Sequence, residues 1–322
     1  MIELVAADIG GTHARFALAA IEAGRVVRLD PPVTLRAADF AGLADAWQAF
    51  AGRVGRPLPR AAGIAVAAPP GDIYKFTNSD WVVRPASLGG EIGVDAFTLI
   101  NDFGAVGHAV AKLEPANFQH FCGPEVPLPD AGLISIIGPG TGLGVAQLLR
   151  RDGHYHVIET EGGHIEFGPL DELEDRIARL LRARHGRVSI ERLVSGAGLA
   201  VICEALAERD GTVLPPRDDK ALWIAAQAGD DALLAQALDC FCRIWGSVTG
   251  DLALAHGANA VVLAGGIGQR LSGRLASSGF IERFVAKGRY ASRMAALPVK
   301  LITHPEPGLY GAAAAFAEQH PA

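Results

Sequence analysis

Two stretches of this chain follow one plan. Leu4 to Ala20 reads as a strand (LVAADI), a Gly10-Gly11-Thr12 turn and a second strand (ARFALA). Leu133 to Leu149 repeats it: LISII, then Gly138-Pro139-Gly140-Thr141-Gly142-Leu143-Gly144, then VAQLL. Apolar, β-branched runs bounded by glycine clusters are the pattern of hairpins. One such unit opens each half of the chain, which predicts an internally duplicated fold. At 322 residues the chain suits two domains better than one. Half of its residues are hydrophobic, enough for large packed cores, so long disorder is not expected.

Short apolar runs alternate with helical spacing elsewhere, as in an α/β protein. Val26 to Leu35 reads as a strand with a Pro-Pro stop, and Phe40 to Gly52 as a helix with Leu43, Trp47 and Phe50 on one side. Gly63 to Ala68 is a buried strand. Pro115 to Pro129 reads as a crossing between domains. Leu173 to His185 is an amphipathic helix, and Asp231 to His256 is one long helix or two stacked ones. Ala260 to Ala264 is a buried strand running into a Gly265-Gly266-Ile267-Gly268 turn. An alanine-rich helix closes the sequence.

Several classes are excluded by reading. There is no Gly-Lys-Ser/Thr, hence no Walker A loop, and no glycine cluster completes Gly-x-Gly-x-x-Gly. A net charge of −6 without a basic tract argues against nucleic acid and anionic membrane as partners. The four cysteines, Cys122, Cys203, Cys240 and Cys242, form no Cys-x-x-Cys pair and read as reduced thiols. No basic segment precedes the first strand and no apolar run is long enough to span a bilayer. A cytoplasmic protein is expected.

The candidate site residues each carry two readings. Phe97-Thr98-Leu99-Ile100 ends abruptly in Asn101-Asp102, an amide and a carboxylate at the C-terminal end of a strand, where α/β sheets bind ligands. Asp102 can accept a proton from a substrate hydroxyl, or it can N-cap a helix beginning at Phe103. The Gly10-Gly11-Thr12 turn can bare N–H groups toward an anion, with Asp8 facing a phosphate-bound Mg²⁺ through water; a plain Gly-Gly hairpin needs the same residues. Asn78 can hold a polar ligand or serve its own turn. The Gly265-Gly266 segment can lie against a nucleotide. In Glu161-Gly162-Gly163-His164, two glycines leave backbone exposed and let both side chains reach one ligand. With His154, His156 and Glu166 that region also admits a metal, although no ligand spacing matches. Neighbouring sugar hydroxyls suit the Glu and His better. Glu191 can join them, or can sit at a helix start for the dipole.

Taken together, the order and spacing of Asp8-Ile-Gly-Gly-Thr12, Leu99-Ile-Asn-Asp-Phe103, Gly138-Pro-Gly-Thr-Gly142, Glu161-Gly-Gly-His164 and Ala264-Gly-Gly-Ile-Gly268 resemble the bacterial glucokinase family. That family belongs to the actin-like, hexokinase and Hsp70 ATPase group. The resemblance runs from Ala7 through Pro307-Gly308-Leu309. It implies two ribonuclease-H-like (actin-like ATPase) α/β domains, residues 1–113 plus 305–322 and residues 114–304, with the site in the cleft between them.

The resemblance further implies ATP- and Mg²⁺-dependent phosphorylation of D-glucose at its 6-hydroxyl. Ala7, Asp8, Ile9, Gly10, Gly11 and Thr12 would face the phosphates with Gly138, Gly140 and Thr141. Gly265 and Gly266 would lie near the adenosine, and Asp8 would meet Mg²⁺ through water. Asn101, Asp102, Glu161, His164 and Glu191 would hold the sugar, with Asn78 nearby, and Asp102 would be the base. A homodimer is implied as well. Two departures stand out. His13 replaces the usual Asn after Gly-Gly-Thr, and the zinc-binding cysteines of the related repressor and open-reading-frame kinase branch are missing, so no structural zinc is expected. The alternatives are a kinase of mannose or fructose, a sugar-sensing regulator on the same scaffold, and an ATP-driven conformational module. The regulator would need a DNA-binding domain in front of Leu4.

Overall fold

A computed structural model of the chain describes residues 1–69, 71–76 and 79–321. Its backbone packs into two units, Met1–Asn117 with Tyr155–Glu159 and His304–Ala322, and Phe118–His154 with Thr160–Thr303.

In the first unit β1 (Ile2–Ile9) and β2 (His13–Glu22) form an antiparallel hairpin in register from Ile2↔Ile21 to Ile9↔Ala14. Beyond it, β3 (Arg25–Leu29) and β4 (Val33–Arg36) both pair with β2. The single strand expected over Val26–Leu35 is thus two, because Pro31 and Pro32 have no N–H to give a ladder. On the other side β5 (Ala61–Val66) runs parallel to β1. A two-stranded ribbon of β6 (Tyr74–Lys75) and β7 (Val82–Val83) follows. Then β8 (Ala96–Asn101) runs parallel to β5, giving the order β3-β2-β1-β5-β8.

The helix Leu43–Val54 covers one face of this sheet with the stripe Leu43, Ala46, Trp47 and Phe50, spaced three and four apart. Phe16 of β2 stacks on Phe50 at 5.4 Å between centroids and meets Trp47 edge-on at 5.9 Å. The helix Pro307–Gln319 covers the other face, burying Leu309, Ala313, Phe316 and Ala317 against Leu4, Ala6, Ala17 and Ala19.

The second unit repeats the plan. An edge strand β9 (Phe118–Cys122) comes first in sequence. A hairpin of β10 (Gly132–Pro139) and β11 (Leu143–Arg151) follows, in register from Gly132↔Arg150 to Pro139↔Leu143. Next comes β12 (His154–Thr160), whose residues Tyr155–Glu159 count with the first unit. The strands β13 (Ala260–Leu263) and β14 (Val299–Ile302) extend the sheet in parallel from β10, and β9 closes it antiparallel to β14. The series β2-β1-β5-β8 and β11-β10-β13-β14 therefore share strand order and direction. The stretch Pro115–Pro129, expected to be a bare crossing, contains β9: Phe118 and Phe121 favour a strand, and the flanking prolines conceal it.

Around this sheet the helix Ala232–His256 is one element of 25 residues, not two. Asp231 caps it by accepting from Leu233 N and Leu234 N, and Gly257 ends it in the left-handed region at φ 66°. Its Cys240 and Cys242 are buried, and burial pushes both thiols up to about 12, so they pack as apolar side chains. Among the described residues no helix is long and apolar enough to cross a membrane.

Candidate active site

The strand β8 delivers Asn101 and Asp102 at its C-terminal end. The helix Asp102–Lys112 starts one residue earlier than expected, and its cap is Asn101 rather than Asp102. Asn101 Oδ1 accepts from Phe103 N (2.8 Å) and Gly104 N (3.2 Å), and its Nδ2 donates to Ala68 O (3.4 Å). Asn101 still pairs with Val66 in the ladder, so its backbone is extended as a cap requires. Asp102, in the first helical turn, is half-buried and accepts from Phe103 N at 2.9 Å. Sequence reasoning missed Glu159, whose Oε1 accepts the Asn101 N–H at 2.9 Å. Asn78 lies outside the described residues.

At the first glycine turn the Gly10 N–H donates to His13 O (2.9 Å) and is engaged within the turn. Ala7 and Ile9 are buried, which leaves Asp8 pointing to the other face of β1. Register sets Asp8 opposite Arg15, and their side chains approach to 3.2 Å. Burial lifts the Asp8 carboxyl above its ordinary range, and Arg15 pulls it back. Glu306 shares this neighbourhood: burial raises it, Arg15 lowers it and Asp8 raises it. Neither Arg15 nor Glu306 was singled out by sequence, although counting pairs back from the turn would have found the first. Carboxylate oxygens of this kind fit a Mg²⁺ that keeps its waters and leans on substrate phosphates.

The second turn is closed the same way, with Gly140 N donating to Gly142 O (2.8 Å), and Gly196 N donating to Gly140 O (2.8 Å). Gly138 lies against the backbone of Ala264-Gly265, where Ala264 N donates to Ile137 O (2.9 Å). A side chain at either Gly138 or Gly265 would strike the other segment's carbonyl carbon or oxygen. Gly265 and Gly266, expected as a turn, instead open the helix Gly265–Leu275. Two of the glycine segments singled out in the sequence are thus in contact.

In the same unit Glu161, His164 and Glu191 converge. His164 Nε2 stands 3.9 Å from Glu161 Oε2 and 3.9 Å from Glu191 Oε1. Those distances are too long for direct hydrogen bonds, and leave the imidazole and carboxylates able to share a hydroxyl-bearing ligand. Glu161 and His164 are more than half exposed, at 54% and 56%. Their spacing comes from a single 3₁₀ turn, Gly162–His164. The two glycines are there for packing, not for exposed backbone: Gly163 is buried on Leu143 and Gly162 lies on Val145. Thr160, also missed, ties the segment down by donating to Val145 O (2.8 Å) and accepting from Gly162 N (3.2 Å). Glu191 lies in the three-residue turn Ile190–Arg192, too short for a dipole to explain it, and its Oε2 accepts from Leu143 N at 2.9 Å. As for the metal reading of His154, His156, Glu161, His164 and Glu166, the described residues contain no group of three or more His, Cys, Asp or Glu side chains placed to hold an ion.

Residues 5–319 match the family model described as Glucokinase. A glucokinase of Zymomonas mobilis is 54% identical over 320 residues, covering 99% of each chain. Among solved structures, a glucokinase from an Antarctic psychrotroph superposes with a TM-score of 0.82 at 32% identity, covering 99% of both chains. A Balamuthia mandrillaris glucokinase in complex with glucose superposes with a TM-score of 0.79 over 98% of this chain and 94% of its own; at 19% identity it speaks for the fold alone. The chain belongs to the glucokinase family of ATP-dependent hexose kinases.

Proposed function

We propose that this enzyme transfers the γ-phosphoryl group of ATP, with Mg²⁺, to the 6-hydroxyl of D-glucose. The fold proposed for it is a pair of ribonuclease-H-like domains of the actin-like ATPase group with the reactants in the cleft between them, divided near residues 113 and 305. The two like-ordered sheets support that reading of the fold. One observation carries the reading of the chemistry. Glu191 bonds the backbone of the second glycine turn and also faces His164, so a phosphate-facing loop and a hydroxyl-matching pair share one side chain.

Glu161, His164 and Glu191, with Asn101, Asp102 and Asn78, hold the sugar. The turns Ala7–Thr12 and Gly138–Gly142 face the triphosphate, and Gly265-Gly266 lies by the adenosine. The transition state of phosphoryl transfer is loose, so positioning and charge neutralisation dominate. The sugar's O6 attacks the γ-phosphorus, a new P–O bond forms, the bond to ADP breaks, and Asp102 takes the hydroxyl proton. When bound, Mg²⁺ would supply neutralisation of the phosphate charge, and Asp8 would hold it through water. Closure on the sugar suppresses transfer to water. The homodimer belongs to the same proposal, and a mass measured in solution would test it.

The test is ADP release by the purified chain with glucose, mannose, fructose or no sugar. Glucose-dependent turnover with the highest kcat/KM is expected. Equal turnover without sugar would indicate a conformational ATPase, and a preference for mannose or fructose would reassign the substrate.

A further inference from the structure

We infer that Glu159 is a positioning residue for the base, an inference that rests on the reading of Asp102 given above. Side chains alternate along β12, and Tyr155, Val157 and Glu159 share one face. All three meet the helix Asp102–Lys112. The Tyr155 hydroxyl is 3.0 Å from His108 Nδ1, and its ring lies 4.7 Å from the Lys112 ammonium. Val157 occupies the space a side chain at Gly107 would need. Glu159 lies against Gly104, where any side chain would collide with its carboxylate. Positions 104, 107, 108 and 112 form one stripe of the helix, at its three-and-four spacing.

The last of these contacts differs in kind from the others. Glu159 Oε1 accepts the Asn101 N–H at 2.9 Å, at the terminal residue of β8. The carboxylate therefore touches residues 101 and 104, and Asp102 lies between them. Packing alone would be served by an apolar side chain, as Val157 shows one step back on the same face. An apolar residue at 159 would leave a part-buried N–H without its acceptor. Through that bond Glu159 sets the backbone direction from which the Asp102 side chain departs. Its role is geometric: the proton goes to Asp102.

The experiment uses the full chain and four variants, Glu159→Ala, Glu159→Gln, Val157→Ala and Asp102→Asn, with steady-state kinetics for glucose and ATP and a thermal melt for each. Misplacing a reacting group by an ångström costs up to about 10²-fold, so Glu159→Ala is expected to lower kcat at least about tenfold with KM for ATP within about twofold of the parent. Glu159→Gln keeps an acceptor oxygen in place and is expected to retain kcat within about threefold. Val157→Ala is expected to lower the melting temperature at least as much as Glu159→Ala while keeping kcat. Should the alanine variant not fold, Glu159→Asp, which keeps the charge and shortens the reach, is expected to show the same loss of kcat. A folded Glu159→Ala or Glu159→Asp with parental kcat overturns the inference. So does a glutamine variant as impaired as the alanine one, or a Val157→Ala that loses kcat equally. An active Asp102→Asn would instead remove the base itself; an inactive Asp102→Asn beside a normal Glu159→Ala sinks only the role of Glu159.

Discussion

The Glu191 carboxylate joins a backbone group to an imidazole, with Oε2 accepting the Leu143 N–H at 2.9 Å and Oε1 standing 3.9 Å from His164 Nε2. Gly142 lies beneath it, where a Cβ would collide with Oε2. The glycine after Thr141 is therefore needed for the carboxylate to sit where it does. A hydrogen bond to a charged group is worth about 1.5–3 kcal/mol, so Glu191→Ala is expected to weaken glucose binding by roughly an order of magnitude or more. Gly142→Ala is expected to reproduce much of that loss without altering any of the side chains proposed to face the sugar. Calorimetric titration with glucose checks both; unchanged affinity in the two variants would remove Glu191 from the sugar site.

Asp102→Asn keeps the volume and the bond from Phe103 N while removing the basic oxygen. A general base contributes about 10²–10⁴ in rate, so kcat is expected to fall at least about 10²-fold with glucose affinity largely kept. Single-turnover kinetics beside a glucose titration separates the two quantities. Near-parental turnover would place the base elsewhere.

Arg15 pairs with Asp8 at 3.2 Å, and its charge lowers both Asp8 and Glu306 against the burial that raises them. In Arg15→Met both carboxyls rise further and hold their protons to higher pH. A site that needs Asp8 ionised to meet Mg²⁺ then loses activity earlier on the acid side. The expected outcome is a higher Mg²⁺ requirement and an acid limb of kcat/KM for MgATP moved to higher pH. An acid limb that stays in place in the variant would separate Asp8 from the metal.

The hairpins were legible because both their strands and their turns are local: apolar runs of period two flank glycines. The strand β9 was not, since its five residues sit among prolines and pair with β14, about 180 residues away. The same division runs through the site. Asn101-Asp102 could be read as a strand end, but which of the two caps the helix depends on Asn101 keeping its place opposite Val66. Both residue types cap equally well. Glu161-Gly-Gly-His164 could be read as a pattern, yet its glycines answer to Leu143 and Val145, and nothing local says which strand lies beneath. Arg15 could have been reached by counting pairs back from the hairpin turn, whereas Glu159 and Glu306 act through partners set by tertiary packing, so their types and spacing alone carried no signal.

The second unit holds a largely buried charge pair, Glu174 with Arg283, extended to the more exposed Asp171. The Glu174 side chain is only 3% exposed, and Arg283 binds it at 2.7 Å and Asp171 at 2.8 Å. Removing one partner of a buried pair strands the other, at a cost of about 3–5 kcal/mol, so Arg283→Ala is expected to unfold at a markedly lower urea midpoint. Replacing both partners, Glu174→Gln with Arg283→Met, is expected to recover part of the loss, because no buried carboxylate is then left at position 174. A single variant as stable as the parent would show that the cluster contributes nothing.

His108 gives the fold a pH dependence of its own. It lies within the helix that begins at Asp102, 3.0 Å from the Tyr155 hydroxyl. Burial pushes its imidazole down to about 4 from an ordinary 6.5; Glu318 pulls it up and Lys112 pushes it further down. Between those two values the unfolded chain binds the extra proton, so stability is fully present above about 6.5 and is lost as pH falls toward 4. At pH 5 the loss from this one group is on the order of 2 kcal/mol. His108→Gln removes the titration, and its urea midpoints at pH 7 and pH 5 are expected to lie closer together than the parent's by that amount. Identical pH slopes in the parent and the variant would mean that the imidazole takes up its proton as readily in the folded protein as in the unfolded chain, and that its bond to Tyr155 does not depend on a neutral ring.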